Sequence, residues 1–278
     1  MCRWLAYSGS PIPLSEVLLT PAYSLVFQSL HARSAVTTTN GDGFGVGWYG
    51  HKGTPRVYRS TNPAWNDRNL REIADEVEAG LFLAHVRSST GGAVQQSNCH
   101  PFRYRNWLFM HNGEIHSWLK LKRDLVMAID PTLFNSIEGT TDSELMFYLT
   151  LTFGLEKDPV GAVAKMVGLV EKIGKVHGVD DAITMTLSIS DGKKLWFFRY
   201  ASKGTPGTLF YSTDIRELRK LYPDVPRFKT ISDETRMVVS EPFVDLPGAW
   251  QEVKPSIWGV IQEGEDEVHE FAPTSSAS

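Results

Sequence analysis

Cysteine is almost absent: the 278-residue chain holds two, Cys2 and Cys99. That excludes a disulfide framework and fits a reducing compartment, the cytoplasm, where a reactive thiol persists. No apolar run approaches the roughly twenty residues of a membrane span, and the start of the chain lacks the basic-then-apolar pattern of a secretory signal. Positive charge is not in excess either. Lys and Arg number 28 against 32 Asp and Glu, a formal net charge of -4, which leaves no basic face for nucleic acid. Internal repeats and low-complexity linkers are missing, and no Gly-rich loop ends in Lys-Ser/Thr to cradle a phosphate.

What is present is an ordinary apolar fraction of 42%, enough for a sizeable core. Residues 2–9 read as a strand, 14–30 as short helical turns around Pro21, and 44–49 with 56–60 as a hairpin. Residues 65–77 have helical spacing, with Leu70, Ile73, Ala74 and Val77 on one face and Gly80 as the expected C-terminal cap. Apolar strands are expected at 81–88 and 107–110, then helices at 119–129, 143–153 and 160–175. Thr141 and Glu144 have the spacing of a capping box. Short strands follow at 182–190, 194–200, 208–212 and 236–240, with 250–254 and 256–263 expected to pair. Strands, then helices, then strands predict an α+β fold of two mostly antiparallel sheets with helices packed outside.

Four positions carry chemistry. Removal of Met1 would give Cys2 a thiol and a free α-amine on one residue, with ordinary pKa values of about 8.5 and about 7.7–8.0, a nucleophile with its own base. The plainer alternative is a small residue that starts a strand. Asn112-Gly113 supplies an amide and a backbone N–H that suit an oxyanion, although the same dipeptide is also the commonest turn. Arg87, on a strand face with His85, suits a bidentate carboxylate, or else a structural acid. Asp142, in the first turn of a helix, suits a substrate ammonium, or else only the helix dipole. Arg87 and Asp142 together describe a receptor for an α-amino acid head group. With Cys2 and Asn112-Gly113 performing acyl transfer at some distance, the set suits glutamine or another γ-glutamyl compound.

Other readings fit less well. Gly41 to Gly47 leads into a strand, not the helix that a dinucleotide fingerprint requires. His85, His100, His111 and His116 with Cys99 have irregular spacing for zinc. A binding module that keeps Arg87 and Asp142 without turnover is the non-enzymatic alternative.

The chain resembles the class II glutamine amidotransferases of the N-terminal-nucleophile hydrolase superfamily. The matching stretches are Met1-Cys2-Arg3, Asn40-Gly41-Asp42-Gly43-Phe44-Gly45, His85-Val86-Arg87, Ser97-Asn98-Cys99-His100-Pro101-Phe102, His111-Asn112-Gly113 and Thr141-Asp142-Ser143-Glu144. The resemblance implies a four-layer αββα sandwich forming one domain over 1–272, with 273–278 a disordered tail. It implies Cys2 as nucleophile with its α-amine as base, Asn112 and Gly113 as oxyanion hole, Arg87 on the substrate carboxylate and Asp142 on its ammonium. Thr90 and His100 match positions that line the glutamine pocket. No cofactor and no metal are implied.

Within the family, Ser240-Glu241-Pro242 and the late Trp250 and Trp258 resemble stand-alone members. The stretch 18–28, Ala64-Trp65-Asn66 and Cys99 to Phe102 are most similar to the amidotransferase subunit of the fungal-type glutathione-degradation complex. The ergothioneine-pathway γ-glutamyl hydrolase is a more distant likeness. The expectation is hydrolysis of a small-molecule γ-glutamyl amide through a Cys2 acyl-enzyme. The alternative is ammonia supply alongside a separate partner subunit, since the chain has no room for a synthase domain.

Overall fold

The computed structural model describes residues 2–31, 39–50, 53–89, 92–224, 226–262 and 266–274. In chain order, β1 is Arg3–Pro13, α1 Ser15–Leu18, α2 Leu25–Leu30, β2 Phe44–Tyr49, β3 Pro55–Ser60, α3 Arg68–Glu76 and β4 Glu78–Val86. Then come β5 (Phe102–Tyr104), β6 (Trp107–Ile115), α4 (Trp118–Met127), α5 (Pro131–Phe134), α6 (Asp142–Thr152) and α7 (Pro159–Val176). The rest is β7 (Ile183–Ser190), β8 (Leu195–Ala201), β9 (Phe210–Ser212), α8 (Ile215–Leu221), α9 (Pro226–Thr230), β10 (Arg236–Val239), β11 (Trp250–Glu252), β12 (Ile257–Ile261) and β13 (Glu267–Glu270).

Among the described residues the strands form two sheets, in the orders β11-β9-β10-β1-β4-β2-β3 and β13-β12-β8-β7-β6-β5. Every pairing is antiparallel. Strand alternation stacks them. Trp4 and Ala6 of β1, Leu81 and Leu83 of β4, Leu108 and Met110 of β6, and Leu195 and Phe197 of β8 fill one layer between the sheets. The intervening residues point outward. Leu5, Tyr7 and Phe82 pack with Val17, Leu25 and Leu70 of the first three helices. Phe109, Trp196 and Phe198 pack with residues of α4, α6 and α7. The order is therefore helix, sheet, sheet, helix. A small separate cluster of Ile215, Leu218 and Ala249 lies in the excursion between β9 and β11 and meets the outer core at Trp250.

Gly43, just before β2, and Gly45 and Gly47 within it face the inter-sheet layer, while Phe44 and Val46 face the first helices. Over them runs Cys99-His100-Pro101. A Cβ added at Gly43 would lie 2.7 Å from the Cys99 sulfur, and one at Gly47 2.7 Å from Pro101. At Gly45 it would collide with the His100 carbonyl oxygen. The missing side chains make the channel in which this segment sits.

Several expectations need correction. Gly80 caps no helix: α3 stops at Glu76 with Val77 as its cap, and Gly80 lies inside β4. A Cβ there would sit 2.7 Å from the Gly9 carbonyl, next to the register break of β1 between Ser8 and Ile12, so close backbone approach decides the residue. The strand expected at 107–110 continues through His111-Asn112-Gly113 to Ile115, because β7 pairs with it along its length. Strands β11 and β12 belong to different sheets; β12 pairs with β8 and β13. Of the capping box only half forms: Thr141 Oγ accepts from the Glu144 N–H, but the Glu144 carboxylate accepts from the N–H groups of Glu138 and Gly139. Of the expected tail, Thr274 N–H donates to the Ala164 carbonyl at 3.1 Å, and 275–278 lie outside the described residues.

Candidate active site

Cys2 lies immediately before β1, partly buried. The Ser88 N–H points at its sulfur across 3.3 Å, and the Ser88 carbonyl lies 3.4 Å from the same atom. Burial pushes the thiol pKa up; the Ser88 hydrogen bond and the charges of Arg87 and Arg3 pull it down. The Cys2 carbonyl oxygen accepts two hydrogen bonds, from Asn112 Nδ2 at 2.7 Å and from Arg3 Nη1 at 2.8 Å. The structure therefore brings the expected nucleophile and the expected oxyanion donor into direct contact, one from each sheet. The Asn112 amide has a second proton, which bonds to nothing among the described residues. Gly113 follows with φ of 141°, and a Cβ there would collide with the Thr184 carbonyl, so only glycine fits.

Arg87 comes from the end of β4, one step beyond the Arg3–Val86 pairing and so beside Cys2. It is 5% exposed. Its guanidinium donates to the Asp42 carbonyl at 3.4 Å and to Ser89 Oγ at 3.2 Å, and it pairs with no carboxylate among the described residues. Asp142 opens α6. Its Oδ2 accepts from the Ile115 N–H at 2.8 Å, and its Oδ1 from the Ser143 N–H at 2.8 Å. Ile115 is two residues beyond Gly113 on β6, about 7 Å along a strand. Asp142 is thus tied to the strand that carries Asn112 and Gly113 and keeps lone pairs for a further donor.

His100 packs against His85 with ring centroids 4.2 Å apart and ring planes tilted by 39°. Both are buried, and none of the four ring nitrogens has a hydrogen-bond partner among the described residues. Burial holds both imidazoles neutral, His85 down at about 3 and His100 well below its ordinary value. His111, also buried, lies on β6 with Nδ1 2.8 Å from Ser143 Oγ. Burial lowers its pKa and the Asp142 charge opposes that. Thr90 lies outside the described residues. Among those described, no group of three or more His, Cys, Asp or Glu is placed to hold a metal ion, and no helix is long and apolar enough to cross a membrane.

Two contributors escaped the sequence reading. Ser88 meets the sulfur through its backbone, which no side-chain pattern reports. Arg3 joins Cys2 to Glu241 across 238 residues of chain; both lie in stretches that match the family, but nothing in either stretch pairs the two charges.

A family model for class-II glutamine amidotransferases matches residues 14–277. The chain is 33% identical to a Saccharomyces cerevisiae protein named "Probable glutamine amidotransferase DUG3", over 91% of this chain and 79% of that protein. It is 35% identical to a γ-glutamyl-hercynylcysteine sulfoxide hydrolase of Mycobacterium tuberculosis, over 70% of this chain and 75% of that one. A solved class-II glutamine aminotransferase domain protein from Silicibacter pomeroyi superposes with a TM-score of 0.74 at 32% identity, covering 98% of this chain and 100% of that one. The Bacillus subtilis PRPP amidotransferase shares the fold at 14% identity, with a TM-score of 0.64, 98% of this chain covered and 49% of that one. The chain belongs to the class-II glutamine amidotransferases.

Proposed function

We propose that this chain hydrolyses a γ-glutamyl amide through an acyl-enzyme on Cys2. The observation that carries the reading is Arg87: a cation 5% exposed, beside the thiol, with no acidic partner among the described residues. A buried charge without a counter-charge is costly, and an anionic ligand removes the cost. The α-carboxylate of a γ-glutamyl group is such a ligand. Its ammonium then goes to Asp142, with Thr90 and His100 lining the pocket.

In the reaction the Cys2 thiol, freed of its proton by its own α-amine after loss of Met1, attacks the γ-carbonyl carbon. The oxyanion forms toward the free Asn112 proton and the Gly113 N–H. The amine leaves with the proton that the α-amine took up. Water, deprotonated by the same amine, attacks the thioester, and glutamate departs as the thiol is restored. The relatives include a protein named for hydrolysis of a γ-glutamyl compound, which supports water as the acceptor. We place the reaction in one domain over 1–272, in a reducing compartment.

The test is glutamate release from glutamine, γ-glutamyl peptides and γ-glutamyl sulfoxides by purified protein, with and without co-purifying chains. Release abolished in Cys2→Ala supports the reading. Transfer of the product nitrogen into a second metabolite, in place of its release, would overturn it.

A further inference from the structure

Glu241 follows β10 in sequence and is 3% exposed; Arg3, its partner, is 2% exposed. Its Oε1 accepts from Arg3 Nε at 2.7 Å and forms an ion pair with Nη2 at 2.5 Å, and its Oε2 accepts from the Tyr23 hydroxyl at 2.8 Å. The remaining arm of the same guanidinium donates to the Cys2 carbonyl, the atom that Asn112 also holds. Ser240 clamps the adjoining residue from both sides: its Oγ accepts from the Trp4 N–H at 3.1 Å and its N–H donates to the Trp4 carbonyl at 3.0 Å. Gln28 fixes the Glu241 backbone, donating to its carbonyl at 3.3 Å.

A buried ion pair contributes little net stability compared with an apolar pair of similar volume, so stability alone does not account for this one. What an apolar pair could not supply is a donor on the Cys2 carbonyl. Once Met1 is removed, residue 2 is tethered on one side only. Its backbone rotation then decides where both the α-amine and the sulfur point. Two donors on one carbonyl oxygen fix the plane of the Cys2–Arg3 peptide.

We infer that Glu241 is a positioning residue for the nucleophile: through Arg3 it orients the Cys2 carbonyl, and its negative charge offsets that of Arg3 beside the thiol and the α-amine. The inference deepens the proposed function and rests on Cys2 as nucleophile. It separates two contributions. Glu241→Gln keeps the shape, since the amide oxygen still accepts from Arg3 and the amide nitrogen can donate to the Tyr23 oxygen, but it removes the negative charge that faces Arg3. Both the thiol and the amine then lose their protons at lower pH. Glu241→Asp keeps the charge and draws the guanidinium away from the Cys2 carbonyl.

The experiment follows the rate of iodoacetamide alkylation at Cys2 against pH, read by peptide mass with Cys99 as internal reference, together with kcat and KM for a chromogenic γ-glutamyl anilide. Glu241→Gln is expected to move the Cys2 midpoint down by about one pH unit. The double variant Arg3→Gln/Glu241→Gln, which removes the cation too, should bring the midpoint back. Glu241→Asp should keep the wild-type midpoint while kcat falls at least about tenfold with KM within about twofold. A Glu241→Gln midpoint equal to wild type overturns the inference. If that variant does not fold, Glu241→Asp decides, and an unchanged kcat overturns it. Wild-type protein that turns over substrate while its Cys2 resists every thiol reagent overturns the nucleophile reading and the inference together.

Discussion

Asn112 donates its side-chain amide to the carbonyl oxygen of Cys2 across 2.7 Å, bridging 110 residues of chain and the gap between the two sheets. A second inter-sheet tie runs beside it, where the Trp4 indole N–H donates to Thr186 Oγ1 at 3.1 Å. The proposed nucleophile and the group proposed to stabilise its oxyanion are therefore held in register by the packing of the sandwich itself.

Asn112→Ala is expected to lower kcat by about 10²–10³-fold through loss of an oxyanion donor, with a smaller change in KM. Steady-state kinetics on a γ-glutamyl anilide measure it. A loss confined to KM would assign Asn112 to substrate binding only.

Arg87 gives a prediction of opposite signs. With no carboxylate partner among the described residues, Arg87→Met should leave the ligand-free fold as stable or more so, raising Tm by about 2–4 °C for each kcal/mol gained. The same variant should lower kcat/KM by an amount on the order of 2–5 kcal/mol. Arg87→Lys should not restore activity, because an ammonium lacks the planar fork. Thermal melts and kinetics on one preparation decide; a Tm that falls with activity would return Arg87 to a structural role.

Gly45→Ala sets a methyl group against the His100 carbonyl. Overpacking of this kind costs about 1–3 kcal/mol, and it displaces the Cys99-His100-Pro101 segment. Denaturant melts should show the loss, while Phe44→Leu, on the opposite face of the same strand, should leave the segment in place.

The buried pair of His85 and His100 predicts an acid-sensitive fold. The folded-state pKa of His85 is depressed to about 3, so its contribution to stability is fully present above its ordinary value of 6.5 and is lost as pH falls from 6.5 toward 3. His100 shifts in the same direction. Between those limits His85 removes up to about 1.4 kcal/mol per pH unit. Urea melts at pH 7 and pH 5 should show a shallower decline in His85→Phe than in wild type; equal slopes would mean that the pair is not buried neutral.

How much of this was legible in the sequence depended on whether the cause was local. Phe44 to Tyr49, the helices expected at 119–129, 143–153 and 160–175, and the alternation of β7 and β8 all follow from apolar spacing, and the structure bears them out to within a few residues. Asn112-Gly113 reads locally as a turn, and pairing with β7 overrides it. Strand β13, Glu267–Glu270, has four exposed residues and no alternating apolar face to announce it. At the site, Cys2, Arg87, Asn112 and Asp142 were recognisable as residue types in motifs. The Arg3–Glu241 pair was not, because nothing near either residue specifies a partner 238 positions away.

The cluster of Ile215, Leu218 and Ala249 stands apart from the larger cores. Elements with few shared apolar contacts open with a free energy below that of the whole molecule. Amide hydrogens of α8 are accordingly expected to exchange with solvent by local opening, well before those of β7, whose Ile183, Met185, Leu187 and Ile189 lie in the largest core. That excursion leads directly into β10 and Glu241, so each opening loosens the far end of the tether that reaches the first residues of the chain.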